Sequence, residues 1–388
     1  MSTSRAVIER VSPHWATAKV IFVVFGTRPE AIKLYPIIKR LSAEPAAKVT
    51  VCVTAQHREM LNQVLDITDI VPDIDLDLMQ PGQTLDDLSA RTLLGIGAAL
   101  DQVQPSRVVV QGDTTTAMSG ALAAYYRRIP VAHVEAGLRS GDIYAPWPEE
   151  VNRKLVGAIA DQHFAPTELA AQRLRHESVP AAQIHVTGNT VVDALHLITQ
   201  RLASRPSLND KWNCIRSRHA GRRIILVTAH RRENHGRGLQ EIADALGELL
   251  RNDDIAIVLP VHPNPNVRGF LTTRFHGHPR AEIIDPPGYL EFIGLMQLAD
   301  VILTDSGGIQ EEAPSLGKPV LIMRDKTERP EAVLAGTALL VGANRGRIIE
   351  ETLRLLRDPA HYQSMSRTHN PFGDGHASDR IVKVMLNA

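Results

Sequence analysis

The chain has 388 residues, of which 44% are hydrophobic and 22% charged. That length suggests two or three domains, and the composition excludes a disordered chain. Lys and Arg total 43, as do Asp and Glu, so no basic excess exists to coat nucleic acid and any bound anion must be gripped locally.

Two cysteines, Cys52 and Cys214, are too few for a disulfide scaffold or a four-cysteine zinc site. Cys52 lies among Val49, Val51 and Val53 and reads as a buried thiol, which suits a reducing cytoplasm. No apolar run approaches the ~18 residues needed to cross a bilayer. Residues 1–18 lack the apolar stretch of a signal peptide and read as an N-terminal extension.

In chain order, Val20–Phe25 predicts a strand, then a Gly-Thr-Arg-Pro turn, then a helix with apolar residues at Ile32, Tyr35, Ile38 and Leu41. Strands are predicted at Val49–Thr54, Arg107–Gln111 and Val131–Val134. Between them Leu85, Leu88, Leu93, Ile96 and Leu100 have helical spacing, and Thr116–Tyr126 reads as a helix of small residues. The pattern pauses over residues 200–222 and restarts with strands at Ile224–Val227, Ile255–Val261, Ile283–Ile284, Val301–Leu303 and Val320–Met323. This alternation predicts an α/β protein with two Rossmann-like, doubly wound domains, the switch between them falling in residues 185–215. Continuous apolar strands agree with sheets buried on both faces.

In such sheets ligands bind beyond the carboxyl ends of the strands, so the residues after each strand are the candidates. After the first strand comes Gly26-Thr27-Arg28-Pro29-Glu30-Ala31-Ile32-Lys33. Pro29 suits the first helical turn, and Arg28 and Lys33 flank a helix N-terminus that favours anions. The plain alternative is an ordinary strand–turn–helix with two solvated cations. Asp113 comes after the third predicted strand, Glu135 after the fourth, and Glu149 shortly beyond in Trp147-Pro148-Glu149-Glu150. A helix cap explains any one of these acids. Three at one sheet edge suit acid/base chemistry, which needs carboxylates whose pKa values are pushed apart.

In the second half, His230-Arg231-Arg232-Glu233-Asn234 and His262-Pro263-Asn264-Pro265 come after strands, and so does Asp305-Ser306-Gly307-Gly308-Ile309-Gln310-Glu311-Glu312. Ser306, Gly307 and Gly308 let backbone amides approach an anion at a helix start, although the same pattern also makes a plain cap. Glu312, one turn on, could accept hydrogen bonds from ribose hydroxyls. No Gly-x-Gly-x-x-Gly follows a strand, and neither a Walker loop nor His-Glu-x-x-His occurs. His276-Gly277-His278 has no cysteines or carboxylates nearby and reads as a loop. The sequence therefore predicts no metal and no nicotinamide cofactor.

These segments, with His133-Val134-Glu135-Ala136-Gly137-Leu138-Arg139, Trp147-Pro148-Glu149-Glu150-Val151-Asn152-Arg153 and Thr187-Gly188-Asn189-Thr190, occur in one order. The set resembles the non-hydrolysing UDP-N-acetylglucosamine 2-epimerases over roughly residues 19–385. The resemblance implies a glycosyltransferase-B-like architecture with a cleft between its domains. It implies an N-terminal domain over residues 19–188, a UDP-binding C-terminal domain over residues 189–371, and a helix over residues 372–388 that packs back on the first. It also implies a homodimer that interconverts UDP-GlcNAc and UDP-ManNAc without a cofactor and without a nucleic-acid or membrane partner.

Carried over by motif, Asp113, Glu135 and Glu149 form the acid/base set and His230 faces the diphosphate. Arg28 and Lys33 stabilise charge on the diphosphate, Arg153 positions the carboxylates, Ser306, Gly307 and Gly308 form the phosphate turn, and Glu312 takes the ribose. Gln56-His57-Arg58-Glu59 matches a segment that in some bacterial members binds a second, activating UDP-GlcNAc, with Glu59 and Gly82 standing where some members have Gln and Arg. Two other activities share the frame: a hydrolysing relative that releases UDP and ManNAc, and a glycosyltransferase using a UDP-sugar donor. A non-catalytic sensor of nucleotide sugars would not need the acid/base set.

Overall fold

The computed structural model describes residues 18–54, 58–80, 82–262, 264–367 and 369–387. Gln56 and His57 lie outside the described residues. Seven strands form the first sheet: β1 (Lys19–Phe25), β2 (Ala47–Val53), β3 (Ile74–Asp75), β4 (Arg107–Gln111), β5 (Val131–Val134), β6 (Gln162–Ala165) and β7 (Ile184–Val186). Six form the second: β8 (Arg223–Thr228), β9 (Ile255–Pro260), β10 (Ala281–Ile284), β11 (Val301–Thr304), β12 (Val320–Ile322) and β13 (Ala338–Leu340). Both sheets are parallel throughout, with helices in the crossovers. The strand orders are β3-β2-β1-β4-β5-β6-β7 and β10-β9-β8-β11-β12-β13.

Each order reverses once, between β1 and β4 in the first sheet and between β8 and β11 in the second. Crossovers on either side of such a point leave to opposite faces and open a crevice beyond the strand ends. The segments beginning at Gly26, Gly112, Ala229 and Asp305 all come directly after these four strands.

The central strands form because they are apolar on both faces. Ile21 to Phe25 and Val108 to Val110 are fully buried. The helix Arg28–Ser42 buries Ile32, Tyr35, Ile38 and Leu41 as its spacing predicts. β3, β6, β7 and β13 carry no β-branched run long enough to announce them. β6 reads Gln-His-Phe-Ala yet is buried along its whole length.

One apolar core runs through both halves of the molecule. Its bridge is the helix Thr190–Ser204, whose Leu195, Ile198 and Leu202 are buried against the helix Arg28–Ser42 on one side and Tyr289–Leu298 on the other. Burying each such side chain contributes roughly 1.5–3 kcal/mol. The chain crosses back at residues 370–373, where Asn189 N–H donates to Phe372 O at 2.6 Å. The helix Ala377–Asn387 then packs on the first half. Buried Asp193 caps it by accepting from Ser378 N at 2.7 Å and Ala377 N at 3.2 Å. Arg40 pairs with Asp379 at 2.8 Å, and Lys19 donates to Leu386 O at 3.0 Å.

The backbone after β5 is left-handed at Glu135, with φ +63°, and again at Gly137, with φ +90°. A non-glycine residue held there is strained and persists only where its surroundings over-determine it. A Cβ on Gly137 would run into the Ala170 carbonyl and the Leu174 side chain. Gly137→Ala is therefore expected to destabilise the protein by at least about 2 kcal/mol, read as a lowered melting temperature, whereas alanine at the open position Gly308 is expected to change it little.

Candidate active site

The two switch points face one another across a cleft of about 570 Å³. Arg28, Lys33, His230, Ser306, Gly308 and Glu312 all line it, with Tyr289, His262, Glu311 and Arg329. Gly307, between two lining residues, is buried. Glu135 sits just beneath the lining and reaches it through Lys33. Asp113, Arg153 and Glu149 lie outside that lining, beyond the carboxyl ends of β4 and β5.

Glu30 fixes where the first helix starts. It is buried, and its carboxylate accepts from Gly26 N at 3.1 Å, Thr27 N at 2.8 Å and Thr27 Oγ1 at 2.7 Å. Its other oxygen accepts from Thr114 Oγ1 at 2.6 Å. One side chain thus ties the turn after β1 to the turn after β4 across the switch point. Burial raises its pKa, and the hydrogen bonds from Thr114, Thr27 and Gly26 work against that rise.

Lys33, one turn further along the helix, donates to both oxygens of Glu135 at 2.7 and 2.6 Å. Gln111 also donates to Glu135. On the far side, Lys33 lies 3.8 Å from Glu311. Glu311 in turn accepts from Arg329 Nε at 2.5 Å and Asn189 Nδ2 at 3.3 Å. The result is a buried chain of alternating charge: Glu135, Lys33, Glu311, Arg329.

Burial raises the Glu135 pKa and the negative charge of Glu311 adds to it, against the pull of Lys33 and Arg329. Burial alone would lower Lys33, but Glu135 and Glu311 outweigh it and hold the ammonium above the ordinary lysine value. Burial pushes Glu311 up, yet Lys33 and Arg329 bring it below the usual carboxylate range. One carboxylate of the chain is therefore held ready to take a proton and the other is held ionised.

Asp113 is half-buried and ion-paired to Arg153. Arg153 also reaches Glu150 at 3.1 Å, and Asn152 Nδ2 donates to the Asp113 carbonyl at 2.9 Å. The Trp147–Arg153 segment is thus clamped on the Asp113 turn. Glu150 is fully buried and accepts from Ser140 N at 3.0 Å and Gly141 N at 3.3 Å, so it shapes the loop. Its neighbour Glu149 is half-buried, and its side chain makes no ion pair or hydrogen bond among the described residues.

In the second half, buried Asp305 organises the turn after β8. It accepts from His230 N at 2.9 Å, Arg231 N at 2.8 Å and Asn234 Nδ2 at 3.1 Å. Its other oxygen stands 3.2 Å from His230 Nδ1, and the His230 ring stacks on His262 with centroids 5.8 Å apart. Burial lowers the His230 pKa, with Arg231 and His262 helping and Asp305 opposing. At neutral pH the ring is therefore a neutral donor and acceptor rather than a fixed cation.

Glu312 accepts from Tyr289 Oη at 2.8 Å. Burial pushes its pKa up to about 7, and the Tyr289 hydrogen bond pulls the other way. Glu311, Arg329, Tyr289 and Glu150 are the site residues that sequence reasoning missed. Arg329 stands in the segment after β12, so extending the search for charged residues beyond that strand's carboxyl end would have found it.

Among the described residues no group of His, Cys, Asp and Glu could hold a metal ion, and no helix is long and apolar enough to cross a membrane.

Two parallel sheets meeting across a cation-lined cleft define a glycosyltransferase-B-like α/β enzyme frame. A family model described as UDP-N-acetylglucosamine 2-epimerase matches residues 39–386, and the chain belongs to that family. It is 54% identical over 373 residues to the UDP-N-acetylglucosamine 2-epimerase of Escherichia coli strain K12, covering 95% of this chain and 98% of that protein. The Neisseria meningitidis UDP-GlcNAc 2-epimerase, solved bound to UDP-GlcNAc, superposes with a TM-score of 0.87 at 44% identity, over 95% of this chain and all of that one (100%). The Methanocaldococcus jannaschii enzyme, solved with UDP-GlcNAc and UDP, gives 0.79 at 34% identity, over 95% and 100% of the two chains.

A carboxylate whose pKa rises on folding costs stability above that range. At low pH Glu312 is protonated in both states, so it exerts no effect. As pH rises through about 4 to 7, the unfolded chain ionises first and the folded state loses ground. Glu312→Gln is thus expected to raise stability above pH 8 by up to about 3 kcal/mol and to leave it unchanged at pH 4, as measured by thermal melts across that range.

Proposed function

We propose that the chain is an isomerase that reversibly inverts C2 of UDP-N-acetylglucosamine to give UDP-N-acetylmannosamine, without net hydrolysis. The observation that carries this reading is the buried Glu135–Lys33 pair: a carboxylate above its ordinary pKa, bonded to a cation that lines the cleft, opposite the Ser306–Gly308 turn. The family membership and the ligands named for the Neisseria and Methanocaldococcus enzymes support the choice of substrate.

The C2 hydrogen of this sugar is not next to a carbonyl, so direct deprotonation is prohibitively slow. Breaking the C1–O bond supplies the missing acidity. The bond's electron pair leaves on the β-phosphate oxygen, and C1 gains oxocarbenium character. A carboxylate takes the C2 proton, and the C2–H pair becomes the C1=C2 bond of 2-acetamidoglucal. Re-addition of UDP to C1, with a proton delivered to the opposite face of C2, inverts that carbon and leaves all atoms balanced.

Each demand of this route has a candidate in the cleft lining or in the residues beside it. Arg28, Lys33 and the Ser306-Gly307-Gly308 turn stabilise charge developing on the leaving diphosphate. Neutral His230, oriented by Asp305, donates to the departing oxygen. Glu312, held by Tyr289, accepts from the ribose hydroxyls. Asp113, Glu135 and Glu149 are the acid/base set, with Arg153 orienting Asp113. A cleft between two halves sharing a core retains the glycal long enough for return.

We also infer a homodimer. Leu94, Tyr125, Tyr126, Val151 and Leu155 sit on three successive helices of the first half and are all exposed. Such an apolar face suits a second copy of the chain. The free thiols Cys52 and Cys214 and a nucleotide-sugar substrate suit the cytoplasm.

Incubation of the protein with UDP-N-acetylglucosamine in deuterated water tests the reaction. Proton spectra are expected to show two UDP-sugars deuterated at C2. Accumulating UDP with free sugar would point to the hydrolysing activity, and a substrate that keeps its C2 proton would refute the epimerase reading. Asp113→Asn and Glu135→Gln are each expected to lower turnover by ~10²-fold or more, the scale of positioned acid/base groups. Tyr126→Glu with Leu155→Glu is expected to give a monomer by light scattering.

A further inference from the structure

Pro286, Pro287 and Gly288 lead into the helix Tyr289–Leu298. Proline restricts the backbone here, and Gly288 N donates to Glu291 Oε2 at 3.2 Å, which closes the first helical turn. The first helical residue, Tyr289, is thereby set in the cleft lining. Its phenol donates to Glu312 Oε1 at 2.8 Å and so links this helix to the helix Gly307–Glu312. Glu312 is 7% exposed, and among the described residues no other side chain bonds its carboxylate.

A carboxylate that accepts from ribose hydroxyls has two requirements. It must be ionised, and it must keep an oxygen open to the ligand. Burial works against the first. A donor on one oxygen favours the charged form and settles which oxygen is left over. Tyrosine suits this task, because burial and the Glu312 charge raise the phenol pKa well above its ordinary value and keep it a donor. Resting on the reading that Glu312 takes the ribose, we propose that Tyr289 is a positioning residue for nucleoside recognition: it holds Glu312 Oε1, leaves Oε2 to accept from the ribose hydroxyls, and keeps the carboxylate in its accepting form. Preference for ribose over a sugar lacking those hydroxyls is then tied to pH.

The groups that face Glu312 come from three helices. Burial is the main influence and raises its pKa, and the Tyr289 hydrogen bond opposes that rise. Glu311, on the same helix, adds to the rise, whereas Lys33 and Arg28 of the helix Arg28–Ser42 lower it. Arg28 faces Tyr289 as well. The balance leaves Glu312 at about 7. Above that pH the carboxylate is a pure acceptor; below it one oxygen carries a proton. Removing the phenol takes away an influence that holds the pKa down, so the midpoint should rise. A change in packing alone would not move it in this way.

The test compares the dissociation constants of UDP and 2′,3′-dideoxy-UDP over roughly pH 6–9 by titration calorimetry, in the wild type, Tyr289→Phe and Glu312→Gln. The ratio of the two isolates the ribose hydroxyls, because base and diphosphate titrate alike in both ligands. The wild type should favour UDP by roughly 10- to 100-fold on the alkaline side, the range for hydrogen bonds to a charged group. That preference should decline as pH falls through about 7. In Tyr289→Phe the preference should be smaller and its midpoint should lie at higher pH, with the loss in epimerisation falling on KM rather than kcat. In Glu312→Gln the pH dependence of the preference should vanish. A Tyr289→Phe protein with the wild-type preference and midpoint overturns the proposal, as does a midpoint moved to lower pH or a loss confined to kcat. If Tyr289→Phe does not fold, Tyr289→Met, which also lacks a donor, is held to the same outcomes. A wild type that binds both nucleotides equally at every pH, or a Glu312→Gln protein that keeps the wild-type pH dependence, defeats the ribose reading of Glu312 instead.

Discussion

The site is organised around one ammonium group shared between two carboxylates that belong to different halves of the molecule. Lys33 bonds Glu135 of the first sheet and approaches Glu311 of the second. In water such contacts would be worth little; buried, each charge strongly sets the protonation of its neighbours. The arrangement depends on the two halves holding their relative position. The helix Thr190–Ser204, the core it threads and the C-terminal helix capped by Asp193 supply that constancy.

Local structure is subordinated to this arrangement at several points. Glu135 is held in a left-handed backbone that non-glycine residues avoid, and Gly137 lies close by in a place where no side chain fits. Glu30 spends its whole hydrogen-bonding capacity on the turns after β1 and β4. Glu312 is kept buried although ionising it there is costly. These are the features expected where stability is given up for a preorganised site.

Much of this is legible in the sequence because parallel sheets bind ligands at one edge. The segments at the carboxyl ends of the apolar strands contain Arg28, Lys33, Asp113, Glu135, His230, Ser306 and Glu312, and all but Asp113 and Glu135 line the cleft itself. The parts that are not legible have physical causes. β6 has no β-branched residue and is held by its place in the sheet, and β7 is an edge strand of only three residues, so periodicity passes over both. Glu311 and Glu312 are adjacent in sequence, and only the short helix at the junction turns one toward Lys33 and the other toward Tyr289. Glu149 and Glu150 pose the same problem: the sequence offers both, and the fold commits Glu150 to the Ser140–Gly141 loop. Arg329 is separated from β12 by irregular chain, and its meaning depends on Glu311.

Each inversion at C2 requires the bond between C1 and the diphosphate oxygen to break and re-form. UDP-N-acetylglucosamine carrying oxygen-18 in that bridging position reports this step without reference to any side chain. Free rotation of the β-phosphate in the bound intermediate equalises its oxygens, so the label should appear in non-bridging positions of recovered substrate and product, at a rate tied to epimerisation. Inversion at C2 with the label still wholly in the bridge would rule the elimination route out.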